Sequence, residues 1–399
     1  MRALANLPRK PRGRPIVRAA LLFLTILVAA SPLRGQEEQA ISEGWTPALS
    51  MKYHPITGTA LSPDGSLAAY VVREPIMGED ESRYLSHIWM VSTSGGEPRQ
   101  FSRGDQSASS PAFSPDGLFL AFTTSRSGSN QVWVMPVDGG EAKQVTDYEG
   151  GIGSFQWAPG GGSFAFTARD PESAEAKAAK EEKRDVILVD QDFRYAHLHT
   201  VPFAFDAREI PESRRLTEGE FHVTGFDWVP DGTKIVFAFQ ADPRINTGRL
   251  SGDVSVVELM SGEVQPLAEG PGVESSPNVS HDGRWVAYLS TGDQIEPIGL
   301  NDVYLVPVGG GASRKLADTP DRSSSILGWS WDNRSVLIQE SIRTTRHLLA
   351  VPADGSPVSP LTGGEGVFGN FSFDGDASHF AFTFETPDTP WDLYVSPLG

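Results

Sequence analysis

The chain has 399 residues, no cysteine and a formal net charge of −18 at pH 7. The lack of cysteine excludes a disulfide framework and thiolate metal or redox chemistry, and the net negative charge argues against nucleic acid and anionic lipid as partners. With 41 glycines and 30 prolines, the chain is rich in turn residues, as an all-β protein requires.

The first thirty residues differ in composition from the rest of the chain. Six basic residues and no acidic residue precede an apolar stretch from Ala19 to Ala30. This order predicts a secretory signal peptide over residues 1–30, cleaved between residues 30 and 35, because the apolar stretch is short for a membrane span. An uncleaved N-terminal anchor is the alternative. Cleavage after Ala30 removes six positive charges and moves the formal charge from −18 to −24. We therefore expect a periplasmic or secreted protein with no further membrane segment.

A short unit of one turn and one strand recurs through residues 36–399. Its clearest copy is the turn Ser-Pro-Asp-Gly at residues 114–117, followed by the apolar run at residues 118–122. Serine at the first position bonds to the backbone, proline presets φ at the second, aspartate tolerates the third, and glycine relieves crowding at the fourth. Copies of the turn begin at Ser62, Ser114, Ala158, Val229, Ser280, Ser330 and Ser372.

Each turn lies between two strand-like runs, and a second hairpin follows it. In one copy, the third strand covers residues 131–137, and a Gly-rich turn leads to a closing strand near residues 143–146. The turns recur every 42 to 52 residues, apart from one interval of 71. Four strands at this period predict an all-β, seven-bladed β-propeller of four-stranded antiparallel blades. A β-sandwich is the alternative, although a sandwich would not repeat the same turn and second hairpin.

The long interval lies in blade three, where residues 170–196 form a charged insertion. Residues 171–184 are rich in alanine, glutamate and lysine, a composition that predicts a short exposed helix or a mobile loop. The strand pattern returns at residues 197–201.

Three segments give the chain a resemblance to a known family. They are residues 45–65, the end of the insertion at residues 189–195, and the closing segment at residues 385–395. Together they resemble the N-terminal propeller of the prolyl oligopeptidase family of serine peptidases, in its acylaminoacyl-peptidase and dipeptidyl-peptidase-like branch. The resemblance covers residues 41–399. It implies a propeller that covers the active site of an α/β-hydrolase domain and restricts entry to short peptides.

The catalytic half of that family is not found in this sequence. The nucleophile pattern Gly-x-Ser-x-Gly does not occur, and the nearest approaches, at residues 161–165 and 328–332, lie inside predicted blade hairpins. The chain stops at Gly399, about where the hydrolase domain would begin in the family. We therefore expect a chain that is inactive alone and has a hydrolase partner in cis or in trans. The alternative is a free-standing TolB-like periplasmic interaction propeller, although residues 36–55 are too few for the domain that precedes the propeller in TolB.

Other chemistry has weaker support. His197 and His199 share one face of a predicted strand, and two imidazoles with a carboxylate such as Asp192 could begin a zinc site. A third ligand is not evident, and exposed strand histidines are common. The recurring tryptophans are explained by packing between blades rather than by ligand stacking, and the repeated turn aspartates by turn geometry. We assign no catalytic, cofactor-binding or metal-binding residue from the sequence.

Overall fold

The computed structural model describes residues 46–78, 81–184, 190, 193–244, 250–293 and 300–398. Within these ranges, 27 strands form five four-stranded antiparallel sheets and one seven-stranded sheet. In the seven-stranded sheet, an antiparallel group of four strands and one of three are joined by a single parallel pair, Arg346 with Val367. We number the five sheets and these two groups as blades 1 to 7 in chain order, so that blade 7 has three strands. The prediction of an all-β chain built from four-stranded antiparallel sheets is confirmed, and blade 7 departs from it in strand number. The predicted signal peptide lies outside the described residues.

Within each blade the strands pair in chain order. The strands of blades 1 to 3 are β1 (Ile56–Leu61), β2 (Leu67–Met77), β3 (Ser82–Ser92), β4 (Arg99–Gln100), β5 (Ala108–Phe113), β6 (Phe119–Thr124), β7 (Gln131–Pro136), β8 (Lys143–Gln144), β9 (Ile152–Trp157), β10 (Ser163–Arg169), β11 (Ala196–Pro202) and β12 (Arg214–Arg215).

The remaining strands follow the same order. They are β13 (His222–Trp228), β14 (Lys234–Gln240), β15 (Asp253–Glu258), β16 (Val264–Ala268), β17 (Glu274–Val279), β18 (Trp285–Ser290), β19 (Asp302–Pro307), β20 (Arg314–Lys315), β21 (Ser325–Trp329), β22 (Ser335–Ile342), β23 (Thr345–Pro352), β24 (Ser359–Pro360), β25 (Val367–Phe373), β26 (His379–Thr386) and β27 (Thr389–Pro397).

The core of the molecule lies between neighbouring blades. The second strand of each blade is a nearly continuous apolar run, as in β10, whose residues Phe164, Ala165 and Phe166 are fully buried. Such a run follows from the architecture, because both faces of each blade pack against another blade. The resulting clusters join blades 1 and 2, 2 and 3, 3 and 4, and so on around the ring. Each blade therefore needs its neighbours to bury its apolar side chains.

The repeated turn has the geometry that its residues predict. In blade 1, the Ser62 hydroxyl donates to the Asp64 carboxylate at 2.6 Å, and the amide of Leu67 donates to the Ser62 hydroxyl at 2.9 Å. The amide of Ser66 donates to the Asp64 carboxylate at 3.0 Å. Gly65 has a φ of 68°, in the left-handed region that favours glycine. The turn aspartates therefore have a structural role.

Blades 1 and 7 meet and close the ring. The side-chain amide of Asn370 on β25 donates to the carbonyl oxygen of Ile56 at 3.1 Å, and its backbone carbonyl accepts a hydrogen bond from the Thr59 hydroxyl. At the turns, the amide of Gly375 donates to the carbonyl oxygen of Pro63 at 2.9 Å. Side-chain and turn contacts therefore join the first and last blades in the described part of the chain.

Replacing Asn370 with alanine is expected to lower the free energy of unfolding by about 2–3 kcal/mol. The variant loses part-buried hydrogen bonds to Ile56 and Thr383 and places alanine at a φ of 47°. Urea unfolding followed by tryptophan fluorescence measures the change.

The matched control is Asn333→Ala. Asn333 also has a positive φ, of 58°, but lies in an exposed turn, where its side chain forms two long hydrogen bonds of 3.4 Å: it donates to the carbonyl oxygen of Trp331 and accepts the amide of Asp282. Equal losses in the two variants would show that the contacts between blades 1 and 7 contribute nothing beyond backbone strain.

The insertion connects β10 to β11 and contains an exposed helix. Helix α1 (Pro47–Ser50) precedes β1, and helix α2 (Ala174–Glu181) lies in the insertion. The Ser173 hydroxyl caps α2 by accepting the amide of Ala176 at 3.1 Å. Lys177 of α2 forms an ion pair with Glu149, so the helix is linked to the loop before β9. In the described ranges, neither helix has the length and apolar character to cross a membrane.

Candidate functional site at the turn end of the central channel

The first strands of the blades surround the centre of the ring. Strands β13, β17 and β21 contact one another in turn, and β1 contacts both β5 and β25. Each of the seven first strands has a shift in its pairing with the second strand, where one extra residue enters the first strand. β-Bulges of this kind redirect side chains and are common beside functional sites.

The bulges in five blades present a small hydroxyl side chain to the channel. We call these exposed residues the bulge collar: Thr57, Ser110, Ser154, Thr224 and Ser276. They carry no charge, and each lies on an innermost strand, so the solvent that they meet is that of the channel. The collar gives the channel a polar, uncharged lining at this level.

A threonine on the second strand supports the bulge in three blades. Thr123 shares a hydrogen bond with Ser109 at 3.0 Å, Thr167 accepts the backbone amide of Ser154 at 3.0 Å, and Thr383 accepts the side-chain amide of Asn370 at 3.1 Å. All three threonines end the same tripeptide, Ala-Phe-Thr. Sequence reasoning missed the bulges, and this repeated tripeptide is a signal that marks three of the seven.

A cavity of about 500 Å³ lies where the first strands reach the repeated turns. Blades 3 to 7 contribute to it, so the cavity spans the centre of the ring. Its size falls within the range of small-ligand pockets. Its walls combine aromatic side chains, such as Trp157, Trp329 and Phe371, with the polar side chains of Gln156 and Asn278.

Two of these tryptophans are fixed by hydrogen bonds to the preceding blade. The indole nitrogen of Trp157 donates to the carbonyl oxygen of Ala112, and that of Trp329 donates to the carbonyl oxygen of Asn278, both at 3.1 Å. Packing between blades therefore explains these two residues, as predicted. Trp331, which we expected to pack in the same way, lies in a turn and is 58% exposed.

Two carboxylates line this cavity, those of Asp227 and Asp374. Asp374 serves its own turn, where it accepts the backbone amide of His379 at 3.0 Å. Asp227 lies on β13, and its two oxygens accept the backbone amides of Trp228 at 3.1 Å and of Val279, in the next blade, at 2.7 Å. Burial raises the pKa of Asp227 to about 7, although both hydrogen bonds act in the opposite direction. No ion pair in the described ranges includes Asp227. A buried carboxylate with a pKa near neutrality in a cleft marks a candidate functional residue.

The two histidines considered for zinc are buried, and the expectation of exposed strand histidines is wrong. His199 packs against the ring of Phe166 at a centroid distance of 5.3 Å. His197 shares a hydrogen bond with Thr217 at 3.2 Å, and its other ring nitrogen lies 3.8 Å from Asp170. They face into the blade packing because the insertion and Tyr148 cover them. Asp192 lies outside the described residues, and within the described ranges no three metal-ligating side chains come together.

The serines nearest to a nucleophile pattern are structural residues. Ser163 is the first residue of β10. Ser330 begins the turn of blade 6, and its hydroxyl donates to the Asp332 carboxylate at 2.7 Å. Neither serine has a histidine among its hydrogen-bond partners in the described part of the chain.

Similarity to known proteins follows the whole ring rather than one motif. No protein-family model matches the chain. The chain is 27% identical over 387 residues to dipeptidyl-peptidase 5 of Porphyromonas gingivalis, covering 89% of this chain and 54% of that protein. It is 24% identical over 294 residues to dipeptidyl-peptidase 5 of Porphyromonas endodontalis, covering 68% and 42%. The chain thus spans about half the length of the curated relatives it matches.

Solved structures share the fold. The acylaminoacyl peptidase of Pyrococcus horikoshii matches with a TM-score of 0.64 and 17% identity, over 88% of this chain and 53% of that one. The β-propeller domain of the trilobed protease from Pyrococcus furiosus matches with a TM-score of 0.61 and 16% identity, over 88% of this chain and 96% of that domain.

The ring of antiparallel blades around a central channel makes this chain a β-propeller protein. As the resemblance predicted, its homologues are dipeptidyl-peptidase 5 proteins, and its structural neighbours include an acylaminoacyl peptidase and the propeller domain of the trilobed protease.

Proposed function

We infer that the chain is the non-catalytic propeller half of a prolyl oligopeptidase-family serine peptidase, and that its channel limits access of peptides to a hydrolase domain. The observation that carries this proposal is the alignment with dipeptidyl-peptidase 5, which covers 89% of this chain and about half of that enzyme. The TolB-like alternative has no comparable match in sequence. The hydrolase domain would be joined in cis or supplied in trans.

The channel supports a role in selecting substrates by size. Its collar of short hydroxyl side chains is uncharged and leaves backbone groups of the bulges without strand partners, so an extended peptide meets polar groups around most of the channel. A short extended peptide exposes its own amides to these groups, whereas a folded protein keeps most of its amides paired internally. Short peptides are therefore the proposed substrate class.

The chain alone is expected to show no turnover of dipeptidyl or aminoacyl reporter substrates and no labelling by a fluorophosphonate probe. The reason is that the sequence has no nucleophile elbow and that Ser163 and Ser330 serve the blade hairpins. Reporter hydrolysis that a serine-directed inhibitor abolishes would contradict the non-catalytic assignment. The coding sequence after Gly399 and its neighbouring genes test the partner: absence of any α/β-hydrolase there would contradict the proposal.

Export remains a proposal that rests on residues 1–30. The mass of the chain recovered from a periplasmic fraction tests it. Cleavage between residues 30 and 35 lowers the mass by that of the removed peptide, whereas a chain with an uncleaved anchor keeps the full mass.

A further inference from the structure

We propose that the cavity at the turn end of the channel binds a guanidinium group, the side chain of an arginine in a peptide, with Asp227 as its anionic partner. This inference goes beyond the proposed function and does not depend on it, since every residue that it uses belongs to this chain.

The Asp227 carboxylate has hydrogen-bond acceptor positions left for a planar cation. A carboxylate offers about four lone-pair positions, and the amides of Trp228 and Val279 occupy one on each oxygen. One position on each oxygen remains for a pair of parallel N–H donors. The fork of a guanidinium group matches this arrangement, which a single ammonium group does not fill. The two backbone amides also fix the orientation of the carboxylate before any ligand arrives.

The walls of the cavity suit a weakly hydrated cation. The rings of Trp157 and Trp329 are held by their indole hydrogen bonds, and Phe371 adds a third aromatic face. Guanidinium stacks on aromatic faces and gives up its hydration more readily than an ammonium group. The side-chain amide nitrogen of Gln156 donates to the carbonyl oxygen of Phe226 at 2.9 Å. The side-chain carbonyl oxygen of Gln156 is then the group that can accept a hydrogen bond from a ligand.

The turn face of the ring carries charges of both signs. Asp64, Asp116 and Asp332 each accept a hydrogen bond from a turn serine, which is the largest reason why the pKa of each carboxylate is lowered. Asp64 and Asp116 belong to blades that do not line the cavity. Arg284 and Arg334 each lie 3.7 Å from the aspartate of their own turn. The preference of the cavity for a cation therefore rests on Asp227 and the aromatic walls rather than on the turns.

Calorimetric titration of the 399-residue chain with N-acetyl-arginine amide at pH 8, where Asp227 with its pKa of about 7 is mostly ionised, tests the proposal. The uncharged isostere N-acetyl-citrulline amide is expected to bind at least about tenfold more weakly, a difference of about 1.4 kcal/mol. Asp227→Asn is expected to abolish this preference. N-acetyl-lysine amide is expected to bind more weakly than the arginine compound, because an ammonium group does not fill the acceptor positions on both carboxylate oxygens.

The control variant is Glu274→Gln. Glu274 is also a buried carboxylate on a first strand, but it lies at the opposite end of β17, does not line the cavity, and accepts the Ser290 hydroxyl at 3.0 Å. We expect its arginine affinity to stay within about twofold of that of the parent chain. Equal binding of arginine and citrulline compounds, undiminished affinity in Asp227→Asn, or tighter binding of the lysine compound would each overturn the proposal. Circular dichroism of both variants confirms that they are folded.

Discussion

Replacing Asp227 with asparagine is expected to change how stability depends on pH. Between pH 5 and pH 8, the free energy of unfolding of the variant should rise by about 2–3 kcal/mol relative to that of the parent. The pKa of Asp227 is raised to about 7 in the folded chain, from an ordinary value of 3.8. Between these values the folded state holds a proton that the unfolded chain has released. The stability of the parent chain therefore falls as the pH rises through this window. Asparagine removes that dependence, and urea unfolding at the two pH values measures it.

At pH 5 the asparagine variant is expected to be the less stable chain. Its side chain has only one oxygen for the two amides of Trp228 and Val279, so one buried donor faces an NH₂ group at a cost of about 1–3 kcal/mol.

The control for this prediction is Asp116→Asn, for which the opposite sign is expected. The Ser114 hydroxyl, which donates to Asp116, lowers the pKa of that carboxylate, so removing the charge destabilises the chain at pH 8. A parallel pH dependence in the parent chain and Asp227→Asn would contradict the assignment.

Replacing His199 with leucine is expected to reduce the destabilisation of the chain by acid. Between pH 7 and pH 5, the variant should lose about 2 kcal/mol less free energy of unfolding than the parent. Burial lowers the pKa of His199 to about 4, and the charges of Arg215 and His197 act in the same direction. In the unfolded chain His199 is protonated as the pH falls below about 6.5, whereas in the folded chain it stays neutral down to about pH 4. The stability of the parent chain is therefore lost as the pH falls below 6.5, and leucine removes this loss. Thermal unfolding at pH 7 and pH 5 measures the difference.

Leucine is suited to this site because neither ring nitrogen of His199 has a hydrogen-bond partner among the described residues. The control for the loss of a histidine as such is His54→Gln, which replaces an exposed histidine that lies 3.8 Å from Glu74. If the leucine variant loses stability on acidification as steeply as the parent, His197 or His222 carries the effect, since burial lowers the pKa of both.

The two titrations oppose each other in the same pH range. Asp227 makes the parent chain less stable as the pH rises from 4 to 7, while His199 makes it more stable as the pH rises from 4 to 6.5. These two contributions offset each other in the parent, so each single variant is expected to tilt the pH profile of stability in its own direction. A carboxylate that costs stability in the neutral range persists where it has a function, which agrees with a ligand role for Asp227.

The sequence predicts the scaffold of this molecule well because each repeated turn fixes its own geometry. The hydrogen bonds that the side chains of Ser62, Asp64 and Ser66 form are all local, so the turn sequence specifies them without reference to the rest of the chain. The helical part of the insertion was likewise readable from composition and has a serine cap at Ser173.

The candidate site was not readable in the same way. Asp227 belongs to the strand-like segment before the turn of blade 4, where it looks like one polar residue in an alternating strand. Its importance arises from Val279, 52 residues later, and from aromatic rings that three other blades contribute. The burial of His197 and His199 depends in the same way on Tyr148 and on the insertion. Such long-range contacts leave no local pattern in a single sequence.

The bulge collar gives the channel an approximate rotational symmetry. Five of the seven first strands place a short hydroxyl side chain at the bulge, so on the proposed function a peptide along the axis meets similar groups in most directions. Such a ligand keeps several orientations of nearly equal energy, so less rotational freedom is lost on entry than in a pocket with one preferred pose. On this proposal the collar does not discriminate between peptide sequences. The asymmetric cavity around Asp227 is the place where one orientation is singled out.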